Sequence, residues 1–177
     1  MDVTKTDEVE KAIKDGMDRF GRIDVLINNA GFGFSGAFEE TTDEDLRNLF
    51  ETDYFGVVTL RAASFPSMRK AGKGVILNVS SQGGLMGFSG SSAYCAAKFA
   101  VVGLSDVLRA ELGEFGIAVS AVCQVLSGPI SEASIPLGIL LQGLMPTRTA
   151  APIKPQSSLR KIPTPRQAIR KRPPSSS

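Results

Sequence analysis

Helical and strand-like segments alternate through the first 122 residues, and that order predicts an α/β fold with a doubly wound parallel sheet. Two observations carry the prediction. Three short runs, Ile23–Ile27, Gly74–Val79 and Ile117–Val122, are rich in Val and Ile and too apolar for a half-solvated strand. The segments between them are long enough for helical crossovers, which parallel pairing requires. Helices placed on both faces of such a sheet make three layers, α/β/α.

From Thr6 to Phe20, Val9, Ile13, Met17 and Phe20 recur at helical spacing, with Asp7 and Glu8 in the first turn and Gly21 at the end. Ile23–Ile27 then reads as a buried strand closed by Asn28-Asn29-Ala30-Gly31. Thr42 or Asp43 caps a long helix to about Lys70, carrying Leu46, Leu49, Phe50, Tyr54, Val57 and Val58, which Pro66 kinks or shortens. Gly74–Val79 is the second strand, followed by a glycine-rich loop from Gln82 to Gly90. Ser91 or Ser92 opens a helix to about Phe115, and Ile117–Val122 is the third strand. Ile135 to Met145 is apolar, with no helix or strand assigned. Ligands of sheets of this kind bind beyond the carboxyl ends of the strands, where Asn28, Ser81 and the residues after Val122 fall.

Composition bounds the function. At 177 residues, 42% hydrophobic and 21% charged, the chain has the make-up of a soluble domain with a sizeable core. No apolar run approaches the ~20 residues of a membrane span, and the start lacks a signal-peptide pattern. Cys95 and Cys123 have no metal-ligand spacing and no histidine to join them, so the expectation is two reduced thiols in a cytoplasmic protein and no metal. The absence of histidine excludes a Ser-His-Asp hydrolase. Residues 146–177 hold eight Lys/Arg, no Asp/Glu and seven of the ten prolines, whereas the remainder holds twelve basic and eighteen acidic residues. The division predicts a folded domain over 1–145 and a basic, Pro/Ser-rich, disordered tail over 146–177.

Tyr94 and Lys98 lie four residues apart and share one helical face, one turn apart. A nearby cation favours phenolate over phenol, so such a tyrosine can move a proton to or from a substrate oxygen. Alone the pair reads as a packed phenol beside a solvated lysine. Ser81, thirteen residues before Tyr94 at the end of an apolar strand, changes that reading, because a hydroxyl from a second element can hold the oxygen that is protonated.

Asn28-Asn29-Ala30-Gly31, Asn78-Val79-Ser80-Ser81 and Tyr94 to Lys98, in that order, resemble the short-chain dehydrogenase/reductase family from about Asp2 to about Val122. The resemblance implies a Rossmann-like sheet, a nicotinamide cofactor (NAD or NADP) and a Ser-Tyr-Lys centre acting on a small alcohol or ketone. It implies Tyr94 as general acid/base, Lys98 also binding the nicotinamide ribose, and Ser81 orienting the substrate oxygen. The thirteen-residue interval selects Ser81 over Ser80. Asn28, Asn29, Ala30 and Gly31 match the turn that supports the sheet and lines the adenine side of the cofactor. Asp2-Val3 is similar to an Asp-Val pair that meets the adenine, and Ser127-Gly128-Pro129-Ile130 loosely resembles a Pro-Gly segment that meets the nicotinamide, with Gly128 and Ile130 as the contact residues. Asp53 stands where the family usually has an asparagine in a water-mediated proton relay to the lysine; ionised, it accepts hydrogen bonds but cannot donate.

The family's opening strand and its Thr-Gly-x-x-x-Gly-x-Gly turn have no counterpart here, so the resemblance implies two strands and two helices missing upstream. The strand at Ile23–Ile27 is therefore expected to present an open edge, with marginal stability as the consequence. Three functions of different classes follow: an oxidoreductase; a truncated, inactive relative that does not hold the cofactor tightly; and a protein whose basic tail binds nucleic acid or an acidic surface. The tail has no aromatic residue for base stacking, which argues against nucleic acid. The resemblance also implies homo-oligomers paired through helices 42–70 and 91–115.

Overall fold

The structure, a computed structural model, describes residues 1–126 and 137–142. The chain divides into units Met1–Pro146 and Thr147–Ser177, and the basic tail lies outside the described residues. Helix α1 (Thr6–Phe20) leads to strand β1 (Val25–Asn28), and α2 (Asp43–Phe50) continues through a π turn (Glu51–Phe55) into α3 (Gly56–Ala71). Strand β2 (Gly74–Ser81), helix α4 (Ser92–Gly113) and strands β3 (Ile117–Leu126) and β4 (Leu137–Gln142) follow. The sheet order is β1-β2-β3-β4, with the first three strands parallel and β4 antiparallel to β3.

Strand register divides the sheet into two unlike faces. Leu26, Ile76 and Val119 are aligned across β1, β2 and β3, so their side chains project from the same face. They pack with Val9 of α1, Leu60 and Met68 of α3 and Leu112 of α4 in one core cluster. Burying an aliphatic side chain of this size is worth about 1.5–3 kcal/mol, so this cluster is the main source of cohesion. On the opposite face Val25 is 52%, Ile27 57% and Val75 38% exposed. The described residues thus build the sheet and one helical layer; no helix covers the second face among them.

Several boundaries move for physical reasons. The apolar run from Ile23 predicts an earlier start for β1, but Ile23 packs beside the core and Asp24 only accepts from Val75 N, so the ladder begins at Val25. Thr42 is the cap of α2: its Oγ1 accepts from Asp45 N at 3.1 Å. The helix predicted to run from there to about Lys70 contains the π turn, where Gly56 N–H reaches back to Glu51 O and Asp53 is buried. Pro66 lies inside α3 without ending it, and Gly72 caps the helix in the left-handed region (φ 65). Strand β3 extends four residues beyond Val122, because pairing with β2 continues to Ser81↔Gln124 and pairing with β4 to Leu126↔Leu137. Strand β4 falls inside the apolar run 135–145, to which the sequence assigns no element.

Two outcomes follow from this packing. Thr42→Ala should lower stability by about 1 kcal/mol in urea unfolding, by removing the cap of α2. The chain should also self-associate with rising concentration through the open β1 edge and bare apolar face. Val25→Lys should reduce that association in sedimentation velocity. A wild-type chain that stays monomeric at high concentration would sink the second expectation.

Candidate active site

The parallel strands deliver Asn28, Ser80, Ser81 and Gln124 to the same end of the sheet, and the first turns of α4 lie against that end. The seating of α4 is partly polar. Asn28 Nδ2 donates to Asn78 Oδ1 at 2.7 Å, Asn78 Nδ2 donates to Ser105 Oγ at 2.9 Å, and Ser105 Oγ donates to Val101 O at 2.7 Å. All three side chains are buried, so this chain of bonds fixes the lateral position of α4 where apolar contacts would let it slide. Asn28 Oδ1 is left buried without a partner among the described residues.

Tyr94 and Lys98 both line a cavity of about 320 Å³ at this end of the sheet, together with Asn29, Gly31, Ser80 and Gln124. Lys98 Nζ lies 5.6 Å from the centroid of the Tyr94 ring. The same ammonium is 3.0 Å from Asp53 Oδ2 and 3.4 Å from the carbonyl of Val79. Asp53 Oδ1 accepts the N–H of Phe32 at 3.0 Å. Lys98 and Asp53 are both buried, so each charge has lost its water and depends on the other. Gly31 passes directly over the pair: a Cβ there would lie 3.1 Å from Lys98 Nζ and 3.1 Å from Asp53 Oδ2. Close approach requires the glycine.

The two serines have different surroundings. Ser80 is buried, its Oγ donates to Lys98 O at 3.0 Å, and it forms part of the cavity wall. Ser81, which the spacing selects, is half-buried, is not part of that wall, and accepts from Gly83 N at 3.2 Å with its own proton uncommitted. Its turn runs against the tyrosine, since a Cβ on Gly83 would lie 3.2 Å from Tyr94 Cε1. Thus Ser80 is occupied in joining β2 to α4, and among the described residues no acceptor takes the Ser81 hydroxyl proton.

Asn28, Asn29 and Ala30 also line a smaller cavity of about 130 Å³, with Val3 beside them. Val3 is buried against Gly56, where a Cβ would lie 2.8 Å from Val3 Cγ2. Asp2 turns into its own loop. Its Oδ1 accepts from Thr4 N at 2.9 Å and Thr4 Oγ1 at 2.8 Å, and these bonds hold the carboxyl below the usual carboxylate range. Gly128 and Ile130 lie outside the described residues.

Gln124 is a cavity residue that the sequence did not single out. The signal available was the continuation of β-compatible residues past Val122, which sets Gln124 opposite Ser81. Burial pushes the Cys123 thiol up, so it is a poor nucleophile at neutral pH. No cluster of metal-ligating side chains occurs among the described residues, and no described helix is long and apolar enough to cross a membrane.

Comparison with known proteins assigns the class. The short chain dehydrogenase family matches residues 1–129. The chain is 45% identical over 122 residues to a 3-ketodihydrosphingosine reductase of Bacteroides thetaiotaomicron, covering 69% of this chain and 45% of that protein. Its fold is similar to ElxO with NADP bound, with a TM-score of 0.69, 35% identity, and coverage of 71% of this chain and 51% of that one. It is likewise similar to an NAD+-bound xylitol dehydrogenase, with a TM-score of 0.69, 27% identity, and coverage of 72% and 50%. The chain belongs to the short-chain dehydrogenase family of oxidoreductases. It spans about half the length of the relatives it matches.

Gly31→Ala should drive its methyl group onto the Lys98–Asp53 pair and lower stability by about 1–3 kcal/mol in urea unfolding. Unchanged stability would mean that the loop yields without cost.

Proposed function

We propose that this chain carries the catalytic half of an oxidoreductase that moves hydride between NAD or NADP and a small alcohol or ketone. One observation carries the reading: a phenol and a buried ammonium, one helical turn apart, face a common cavity at the carboxyl ends of parallel strands. In the reducing direction Tyr94 Oη gives its proton to the carbonyl oxygen as hydride reaches the carbon. In the oxidising direction it takes that proton from the alcohol. Ser81 is not part of the cavity wall, but its turn packs against Tyr94, and from there its hydroxyl donates to the same oxygen at the mouth of the site. Lys98 presents an ammonium to the cavity as a hydrogen-bond donor.

The residues fit a nicotinamide cofactor on three counts. The cavity of about 320 Å³ is within the range of small-molecule sites. The Asn29–Gly31 backbone has no bulky side chain between it and the cavity, and a second hollow adjoins Ala30 and Val3. A bound cofactor would supply or take the hydride, with Lys98 and the Asn28–Gly31 turn among the residues that hold it. Asp2 is less suited to an adenine amine, because Thr4 already engages its carboxylate.

Pairing of two copies is part of the proposal. Phe55 of the π turn and Phe99 and Val107 of α4 expose 45%, 45% and 54% of their surface, and a hollow of about 300 Å³ lies along Leu46, Phe50 and Phe55. A second reading is a chain that keeps these side chains but does not hold the cofactor tightly.

Titration of the folded chain with NADPH and NADH, followed by nicotinamide fluorescence, separates the readings. Saturable binding is expected. Tyr94→Phe should bind alike while turnover falls by about a hundredfold or more. A folded chain that binds neither cofactor supports the second reading.

A further inference from the structure

Gln124 is half-buried in the wall of the cavity that Tyr94 and Lys98 share. Its backbone is held on both sides, opposite Ser81 in β2 and Ile139 in β4, so the sheet closes without its side chain. Other polar groups of the wall are already engaged: Ser80 Oγ donates to Lys98 O, and Lys98 Nζ lies against Asp53 and the Val79 carbonyl. The Gln124 amide has no hydrogen-bond partner among the described residues.

Strand order fixes where that amide stands. Because β2 lies between β1 and β3, Gln124 is two strand spacings, about 9–10 Å, across the sheet from the Asn29–Gly31 turn that the proposed function gives to the cofactor. Ser81 is its register partner, one spacing of about 4.8 Å away, and alternation sends both side chains from the same face of the sheet. A substrate oxygen held by Ser81 and Tyr94 therefore leaves the substituent on the next carbon facing Gln124.

We propose that Gln124 is a specificity residue that selects substrates with a hydroxyl on the carbon beside the reacting one, namely α-hydroxy ketones and vicinal diols. A primary amide offers both an acceptor and donors, and a hydroxyl can use both. An alkyl group in the same place covers the amide and leaves it unpaired, so the analogue without the hydroxyl is rejected. This deepens the function proposed above and rests on it for the roles of Ser81 and Tyr94.

The test compares 3-hydroxy-2-butanone with 2-butanone, which differ by one hydroxyl, as ligands of the full ¹⁵N-labelled chain in NMR shift titrations. They are run without cofactor and then with tetrahydro-NADP, an analogue with no transferable hydride. The hydroxy ketone should bind about tenfold more tightly, and Gln124→Met should abolish the difference. Equal affinities, binding of neither ketone, or a difference that survives in Gln124→Met overturns the proposal. So does a variant that loses NADPH affinity but keeps the discrimination, which assigns the amide to the cofactor. Should Gln124→Met not fold, the wild-type Gln124 side-chain amide signal decides: it must move with the hydroxy ketone and not with 2-butanone. NADPH binding by the wild type reports separately on the proposed function, so the two readings fail by different results.

Discussion

Helix α4 carries Tyr94 and Lys98, and its seating on the sheet is what the rest of the site depends on. At one end Leu112 is locked into the aliphatic core with Ile76, Ile117 and Val119. Near its middle, Ser105 is reached from β1 through Asn78 and Asn28. Apolar burial supplies most of the cohesion but little direction. The hydrogen bonds supply direction, since a shift of α4 by one residue would leave buried amides unpaired at about 1–3 kcal/mol each. Tyr94 and Lys98 meet the strand ends because the helix cannot slide.

That rigidity makes a buried charge tolerable. An ammonium at the cavity floor costs several kcal/mol in lost hydration, and the carboxylate of Asp53 offsets much of it only while the geometry holds. The π turn, the close passage of Gly31 and the Phe32 amide all serve that geometry. Stability and site geometry are coupled at this point: Asp53 contacts both the Phe32 amide of the loop and Lys98. The bare face of the sheet is the counterpart, with Val25, Ile27 and Val75 turned to solvent while the helix-covered face is dry.

The sequence was most legible where periodicity and sterics are local. Thr6–Phe20 matches α1 residue for residue, because its acidic first turn and terminal glycine mark both ends within the segment. The spacing of Tyr94 and Lys98 was enough to put both on one face of α4, and the thirteen-residue interval separated two adjacent serines whose surroundings differ as described. The π turn was not legible, since Glu51–Phe55 has the composition of an ordinary helical turn, and its Asp53 meets a lysine forty-five positions away. Gln124 was missed for a similar reason: only the ladder with β2 shows that β3 continues to it.

Composition, periodicity and motif spacing were therefore sufficient for the class of fold and the family resemblance, and for placing Tyr94 and Lys98 on one face of a helix. These are properties of short segments, set by backbone sterics and by which side chains share a face. Three things required the folded chain: that Lys98 lies directly against Asp53, that Ser80 bonds to the helix, and that no helix among the described residues covers one face of the sheet. Each depends on distances between residues remote in sequence, where desolvation and packing take effect only after the strands and helices have met.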